Sequence, residues 1–280
     1  MNVQKKPSHT RHGHLVIHSV NAAGGQKSID PTELALNLAD HDSERADIIL
    51  MQEPWVGIPP RTRMAVKTHP NYNIFSPVDT WDSDATRPRS LVYVRKHLKA
   101  DQLRPYRTRD ITWVKVRGIT FASVYRPSDD PRRVDAILEA WTPPFDCVVA
   151  GDFNAGDSSW DKSNPNYHGG AGLAETMHDH GLDLISEPNV ATQDGGNVLD
   201  LAFSNVPMAE AQVSEALHST SDHETLRIVV LINKDLGRRP RNKKWTIPDD
   251  RLLELASIVK DRVYELPLLG FSAKDLDRFA

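Results

Sequence analysis

The chain has 280 residues, 39% of them hydrophobic and 26% charged, the composition of a globular domain large enough to bury one substantial core. No apolar stretch approaches the roughly eighteen uninterrupted residues that a membrane-spanning helix needs, and the opening Met1–His14 lacks the apolar middle of a secretory signal, so no membrane partner and an intracellular setting are expected. The single cysteine, Cys147, excludes an intrachain disulfide and a cysteine-based zinc cluster, and the net charge of -4 withholds the basic footprint usual for nucleic-acid binders.

In chain order, residues 1–13 form a polar tail, and His9, His12 and His14 read as tail residues without a role. From Leu15 to Leu231 short Val- and Ile-rich runs of strand length alternate with loops and a few helical stretches. The strand-like runs are Leu15–Val20, Ile48–Gln52, Tyr72–Ser76, Ser90–Val94, Thr112–Val116, Thr120–Tyr125, Cys147–Gly151, Val198–Ser204 and Thr225–Leu231. Asp30-Pro31-Thr32-Glu33 gives a first helix an acidic N-cap, a proline at its first position and a capping-box glutamate. Asp130-Pro131 opens a second, with Val134, Ile137, Leu138 and Trp141 on its apolar face. A third runs from about Leu173 to His180 and stops at Gly181. The alternation in Ile111–Val116 turns at Arg117-Gly118 into Ile119–Tyr125 and reads as a hairpin, whereas the helix-flanked runs are uniformly apolar. Nine or more strands of both kinds are accommodated by two packed sheets with helices outside.

Past Leu231 the character changes. Residues 233–280 read as a basic linker, Arg238–Lys244, followed by an amphipathic helix over Pro248–Leu266 and the opening of another at Ser272, an ending expected of a fragment of a longer protein. The domain is therefore placed at 14–232 and the extension at 233–280. The basic linker reads as a nuclear-import signal, a DNA-backbone contact or a plain solvated linker, and leans the expected setting toward the nucleus. Nothing in the sequence bears on oligomeric state.

Chemistry is suggested by where polar residues interrupt this pattern. Asn21, Glu53 and Asp152 each follow directly on an apolar run, Asn154 stands two residues further on, and Ser221-Asp222-His223 precedes the last strand. Neighbouring strand ends lie about 4.8 Å apart, so such groups converge if the strands are adjacent. Carboxylate and amide oxygens gathered on one patch suit Mg²⁺ or Mn²⁺. Singly, each has a plain alternative as a turn or cap residue. Asp200 does not: inside Val198–Phe203 a buried carboxylate would cost several kcal/mol without a partner, and His223 is the candidate.

Val20-Asn21, Met51-Gln52-Glu53, Val124-Tyr125-Arg126-Pro127, Gly151-Asp152-Phe153-Asn154-Ala155, Leu199-Asp200 and Ser221-Asp222-His223 stand in this order between Leu15 and Leu231. Together they resemble the endonuclease/exonuclease/phosphatase superfamily. With Trp160 and Glu224 added, the set looks most like the endonuclease domains of non-LTR, LINE-type retrotransposons. The resemblance implies a DNase I-like α/β fold, a four-layer α/β/β/α sandwich, with the site at one end of the sheets. It also implies a Mg²⁺- or Mn²⁺-dependent phosphodiester hydrolase that nicks target DNA, and a reverse transcriptase domain in the longer parent polyprotein. Asn21, Glu53 and Asp222 are implied near the metal and Asp152 at the attacking water. Asn154 and Tyr125 are implied on the scissile phosphate, with His223 oriented by Asp200. An abasic-site nuclease, a phosphatase acting on a non-DNA phosphoester and a catalytically inactive binding module are the alternatives. The loops Val78–Arg89 and Asp157–Gly172 are expected to set site choice, and Trp81 and Trp160 either stack on bases or cap a core edge.

Overall fold

In the computed structural model, which describes residues 13–23, 30–41, 45–57 and 66–232, period-two alternation sorts each strand's side chains between two faces. The elements are β1 (Gly13–Asn21), α1 (Pro31–Leu38), β2 (Ile48–Gln52), β3 (Tyr72–Phe75), β4 (Ser90–Arg95), β5 (Ala100–Leu103), β6 (Ile111–Val116) and β7 (Ile119–Tyr125). They continue with α2 (Arg132–Ala140), β8 (Cys147–Asp152), β9 (Gly156–Asp157), β10 (Asn166–Tyr167), α3 (Gly170–Asp179), β11 (Asp183–Leu184), β12 (Asp200–Ser204), β13 (Glu210–Val213) and β14 (Leu226–Ile232). One six-stranded sheet has the order β13-β14-β1-β2-β4-β3, the other β11-β12-β8-β7-β6-β5, and β9 pairs with β10 alone.

Alternation explains the layers. In β2, Ile48 and Leu50 enter the core between the sheets, where they meet Leu15, Ile17, Phe121, Val148 and Ile228. Ile49 and Met51 point the other way, against Ala35, Leu36 and Ala39 of the α1 hairpin. In β8, Val148 and Ala150 face the central core while Cys147 and Val149 face Val134, Leu138, Leu173 and Met177 of α2 and α3. Each such buried aliphatic or aromatic side chain contributes about 1.5–3 kcal/mol, so both faces of the central strands must be covered. The result is the expected four-layer sandwich. Cys147 is buried among these side chains, and burial pushes its thiol pKa up, as suits an inert core thiol.

The helix signals hold with two adjustments. The Asp30 carboxylate accepts from the Thr32 and Glu33 amides, and Pro31 occupies the first turn. Glu33 does not complete a capping box; its carboxylate accepts instead from Lys67 Nζ at 3.1 Å. α3 starts at Gly170 rather than Leu173, because Gly169 at φ 77° closes the preceding loop in a conformation that hides the start behind a run of glycines. The Arg117-Gly118 hairpin is present, with both turn residues at positive φ. β5 and β13 were not expected: they are half-exposed edge strands without an apolar run. β9, β10 and β11 are two-residue pairings too short to leave a pattern. His14 is corrected from tail to strand, since β1 begins at Gly13 and His14 pairs with Leu231. His9, His12 and the 233–280 extension lie outside the described residues. Among the described residues no helix is long and apolar enough to cross a membrane.

Each sheet contains one parallel pair joined through a helix: β1 and β2 through α1, and β7 and β8 through α2. The carboxyl ends of these four strands come together across the two sheets, and the candidate residues stand there.

Candidate active site

Parallel register sets Tyr125 beside Asp152 at the ends of β7 and β8, and antiparallel register sets Asp200 of β12 on the other side of Asp152. The close approach of β7 and β8 needs Gly151, because a Cβ there would run into the Val124 carbonyl oxygen. Glycine immediately before the aspartate is thus a packing requirement. From the other sheet, Asn21 reaches across: its Nδ2 donates to Asp152 Oδ2 at 2.8 Å. Asn154 Nδ2 donates to the same oxygen at 2.8 Å, and the Asn154 amide donates to Oδ1 at 2.9 Å. The Asp152 carboxylate therefore accepts three hydrogen bonds from neutral donors.

Asp200 is buried, and its Oδ2 lies 2.7 Å from His223 Nδ1. A carboxylate at Nδ1 fixes that nitrogen as the proton-bearing one and leaves Nε2 for chemistry. Behind the pair, Thr192 Oγ1 accepts from the Leu199 and Asp200 amides, both at 2.9 Å, and Ser221 Oγ accepts from the His223 amide at 3.2 Å. Glu53 stands at φ 44° and Asn154 at φ 45°, left-handed conformations that cost a non-glycine residue about 1 kcal/mol or more and are common where function over-determines the backbone.

The electrostatics are unbalanced. Burial pushes the Asp152 carboxyl above the usual range and repulsion from Asp200 pushes it further, with His223 working the other way. Burial opposes a charge on His223, yet the Asp200 carboxylate and its hydrogen bond outweigh that and raise the imidazole to about 9. Burial, and then the hydrogen bond to Glu53, raises the Tyr125 phenol. One imidazolium thus faces Asp200, Asp152 and Asp222, with Glu53 acting on Asp152. Ligand atoms of Asp152, Asp200 and His223 lie within 4.8 Å of one another. Buried carboxylates that repel each other, with amide oxygens beside them, fit a divalent cation.

Of the eight residues expected here, Asn21, Asp152, Asn154, Asp200 and His223 are in direct hydrogen-bonded contact within two groups, and Tyr125 pairs with Glu53. Asp222 adjoins His223 and supports its charge, and its backbone carbonyl accepts from the Asp194 amide at 2.9 Å. Sequence reasoning gave no role to Arg126, which is buried and holds the loop: it grips Asp135 at 2.6 and 3.0 Å and donates to the carbonyls of Phe153 and His168. The signal was its place between Tyr125 and Pro127. Thr192 had no signal, since its partners come from β12. Trp81 and Trp160 prove to cap core edges, with their indole N–H groups bound to the carbonyls of Gly57 and Ala155.

Residues 119–227 match the family model described as endonuclease-reverse transcriptase. The solved endonuclease domain of TRAS1, a telomere-specific non-LTR retrotransposon, is 25% identical to this chain at a TM-score of 0.63, with 79% of this chain and 100% of that one covered. Both findings make the chain similar to the endonuclease/exonuclease/phosphatase superfamily. Two more distant structures share the fold. An endonuclease/exonuclease/phosphatase family protein from Leptotrichia buccalis is 17% identical at a TM-score of 0.52, covering 78% of this chain and 100% of that one. The cytolethal distending toxin of Haemophilus ducreyi is 15% identical at 0.51, covering 78% and 98%. No curated protein sequence matches the chain.

Proposed function

We propose that the chain is a phosphodiester hydrolase dependent on Mg²⁺ or Mn²⁺ that nicks duplex DNA, as the endonuclease part of a non-LTR retroelement protein. The observation that carries this is the Asp152 carboxylate held by Asn21 and Asn154 beside the Asp200–His223 pair. In this reading Glu53, Asp222 and Asn21 hold the cation, and when bound it supplies positive charge to the phosphate and the departing oxygen. Asp152, destabilised as an anion by burial and by Asp200, orients the attacking water and accepts its proton. Tyr125 donates to a non-bridging phosphate oxygen, and Asn154 does so by giving up the bond from its Nδ2 to the Arg126 carbonyl. Asp200 keeps His223 protonated at neutral pH, which sets a cationic N–H at Nε2 for the charge that develops in the transition state. The description of the matching family supports a longer parent chain that carries a reverse transcriptase. The basic segment Arg238–Lys244 supports a nuclear destination.

The test is relaxation of supercoiled plasmid in Mg²⁺ and in EDTA, with Asp152→Asn and His223→Ala as comparisons. Metal-dependent nicking lost in both variants is expected. A folded wild-type protein that leaves the plasmid intact but hydrolyses other phosphoesters would overturn the DNA assignment.

A further inference from the structure

The chain carries a net charge of -4, yet its arginines are not spread evenly. Four of them act on one another on one side of the catalytic edge: Arg87 and Arg89 from the segment before β4, Arg109 from the segment before β6, and Arg133 from the first turn of α2, with Arg107 joined to them through its backbone carbonyl. The link to the site is continuous through the backbone. The Glu53 amide donates to the Arg89 carbonyl at 2.9 Å, the Arg89 amide to the Arg109 carbonyl at 2.8 Å, and the Tyr125 amide to the Asp110 carbonyl at 2.9 Å. The Arg89 guanidinium lies 4.9 Å from the centre of the Tyr125 ring.

Most other arginines nearby are matched by an acid. Arg104 forks onto Asp79, Arg132 meets Asp130 at 2.8 Å, and Arg126 holds Asp135. This group is matched only in part. Asp110 serves Arg89 at 2.6 Å and has only a distant approach, 3.9 Å, to Arg109. Asp84 is 3.3 Å from Arg87, and both side chains are exposed. Arg109 donates to the Asp84 carbonyl and Arg133 to the Arg107 carbonyl, neutral acceptors that aim the guanidiniums without cancelling them. Arg107 is exposed, and its side chain has no partner among the described residues. Four guanidiniums, with Arg107 exposed on the neighbouring segment, thus stand against three carboxylates, Asp84, Asp110 and Asp129. Arg109 feels the crowding: burial lowers its pKa first, then Arg89, with Arg87 and Arg133 adding to this and Asp110 opposing it. Like charges packed in an acidic protein oppose folding, and their natural complement is a polyanion with charges at regular intervals.

Resting on the nuclease reading above, we propose that Arg87, Arg107, Arg109 and Arg133 form a backbone-binding face that grips phosphates of the DNA strand flanking the scissile bond. Arg89 acts as a positioning residue, tied to Asp110 and stacked on Tyr125, so that the face and the catalytic edge keep one spacing. Guanidiniums from three separate chain segments suit successive phosphates of one strand, and phosphate contacts of this kind fix register without reading sequence.

The experiment measures plasmid and oligonucleotide-duplex cleavage as a function of salt, alongside hydrolysis of bis(p-nitrophenyl) phosphate. The proteins are wild type, Arg107→Gln/Arg133→Gln, and Lys115→Gln as a control on the far part of β6. Each lost phosphate contact should lower the slope of log KM against log salt by about one. The double variant is expected to show a KM for duplex raised about tenfold or more, a slope lower by about two and a smaller change in kcat, while Lys115→Gln matches wild type. Unchanged KM and slope in a double variant that still cuts DNA would overturn the backbone-binding face and leave the nuclease reading standing. A wild type that hydrolyses the small diester but not duplex DNA would overturn both.

Discussion

Two buried polar clusters sit in this molecule, and they are built on opposite principles. Outside the first sheet, Arg95 is 2% exposed, and its guanidinium donates to the Ala46 and Ala39 carbonyls and to Asp40 Oδ1 at 2.7 Å while lying 4.8 Å from the centre of the Tyr72 ring. Tyr72 in turn donates to the same two carbonyls at 2.9 Å. Charge and hydrogen-bonding capacity are there met by the protein. At the catalytic edge, Asp152 and Asp200 are equally buried but repel each other, with one imidazole between them and neutral amides around them. A structural cluster is complete in itself, whereas a functional one is left wanting a ligand.

The largest expected effect breaks the functional cluster. Asp152→Asn should lower the nicking rate by about a thousandfold or more, in the range for a lost catalytic base, and should not lower the melting temperature, since it removes a repelling buried charge. Loss of stability together with activity would mean that the carboxylate is structural. Arg95→Met breaks the other cluster and should cost about 3–5 kcal/mol, read as a lower urea midpoint, because Asp40 and two carbonyls lose their partner.

How far these clusters were visible beforehand differs for physical reasons. Asn21, Glu53, Asp152 and His223 were legible because a polar residue ending an apolar strand contradicts its surroundings, and Asp200 because it sits within such a run. The layered fold was legible because central strands covered on both faces need continuous Val and Ile. Arg95 gave no signal, since one arginine closing Ser90–Val94 looks like an ordinary strand end until the carbonyls of Ala39 and Ala46 fold over it. Thr192 was hidden because its hydroxyl serves backbone amides of Leu199 and Asp200, which leave no side-chain pattern, and β5 and β13 because a sheet edge asks for no apolar run.

His18 sharpens the comparison by pH. It is buried on β1, and burial, followed by Arg227 and Arg95, lowers its pKa from 6.5 to about 3. A folded-state pKa below the unfolded value means that its neutral form supports the fold above about pH 6.5 and that this support disappears as pH falls toward 3. The full effect is at most on the order of 5 kcal/mol. His18→Leu should flatten the loss of stability across that window, measured by urea unfolding at successive pH values. The smallest effect expected is at the helix cap: Asp30→Ala should cost about 1 kcal/mol through the amides of Thr32 and Glu33, with nicking activity retained.

The central claim, that the catalytic edge is an anionic cluster awaiting a divalent cation, is tested most directly by thermal unfolding of wild type and Asp152→Asn with and without Mn²⁺. The expected result is a wild-type melting temperature that climbs with Mn²⁺ concentration, and a variant that is no less stable without metal and gains little from it. A wild-type melting temperature indifferent to Mn²⁺ up to millimolar concentrations would contradict the account.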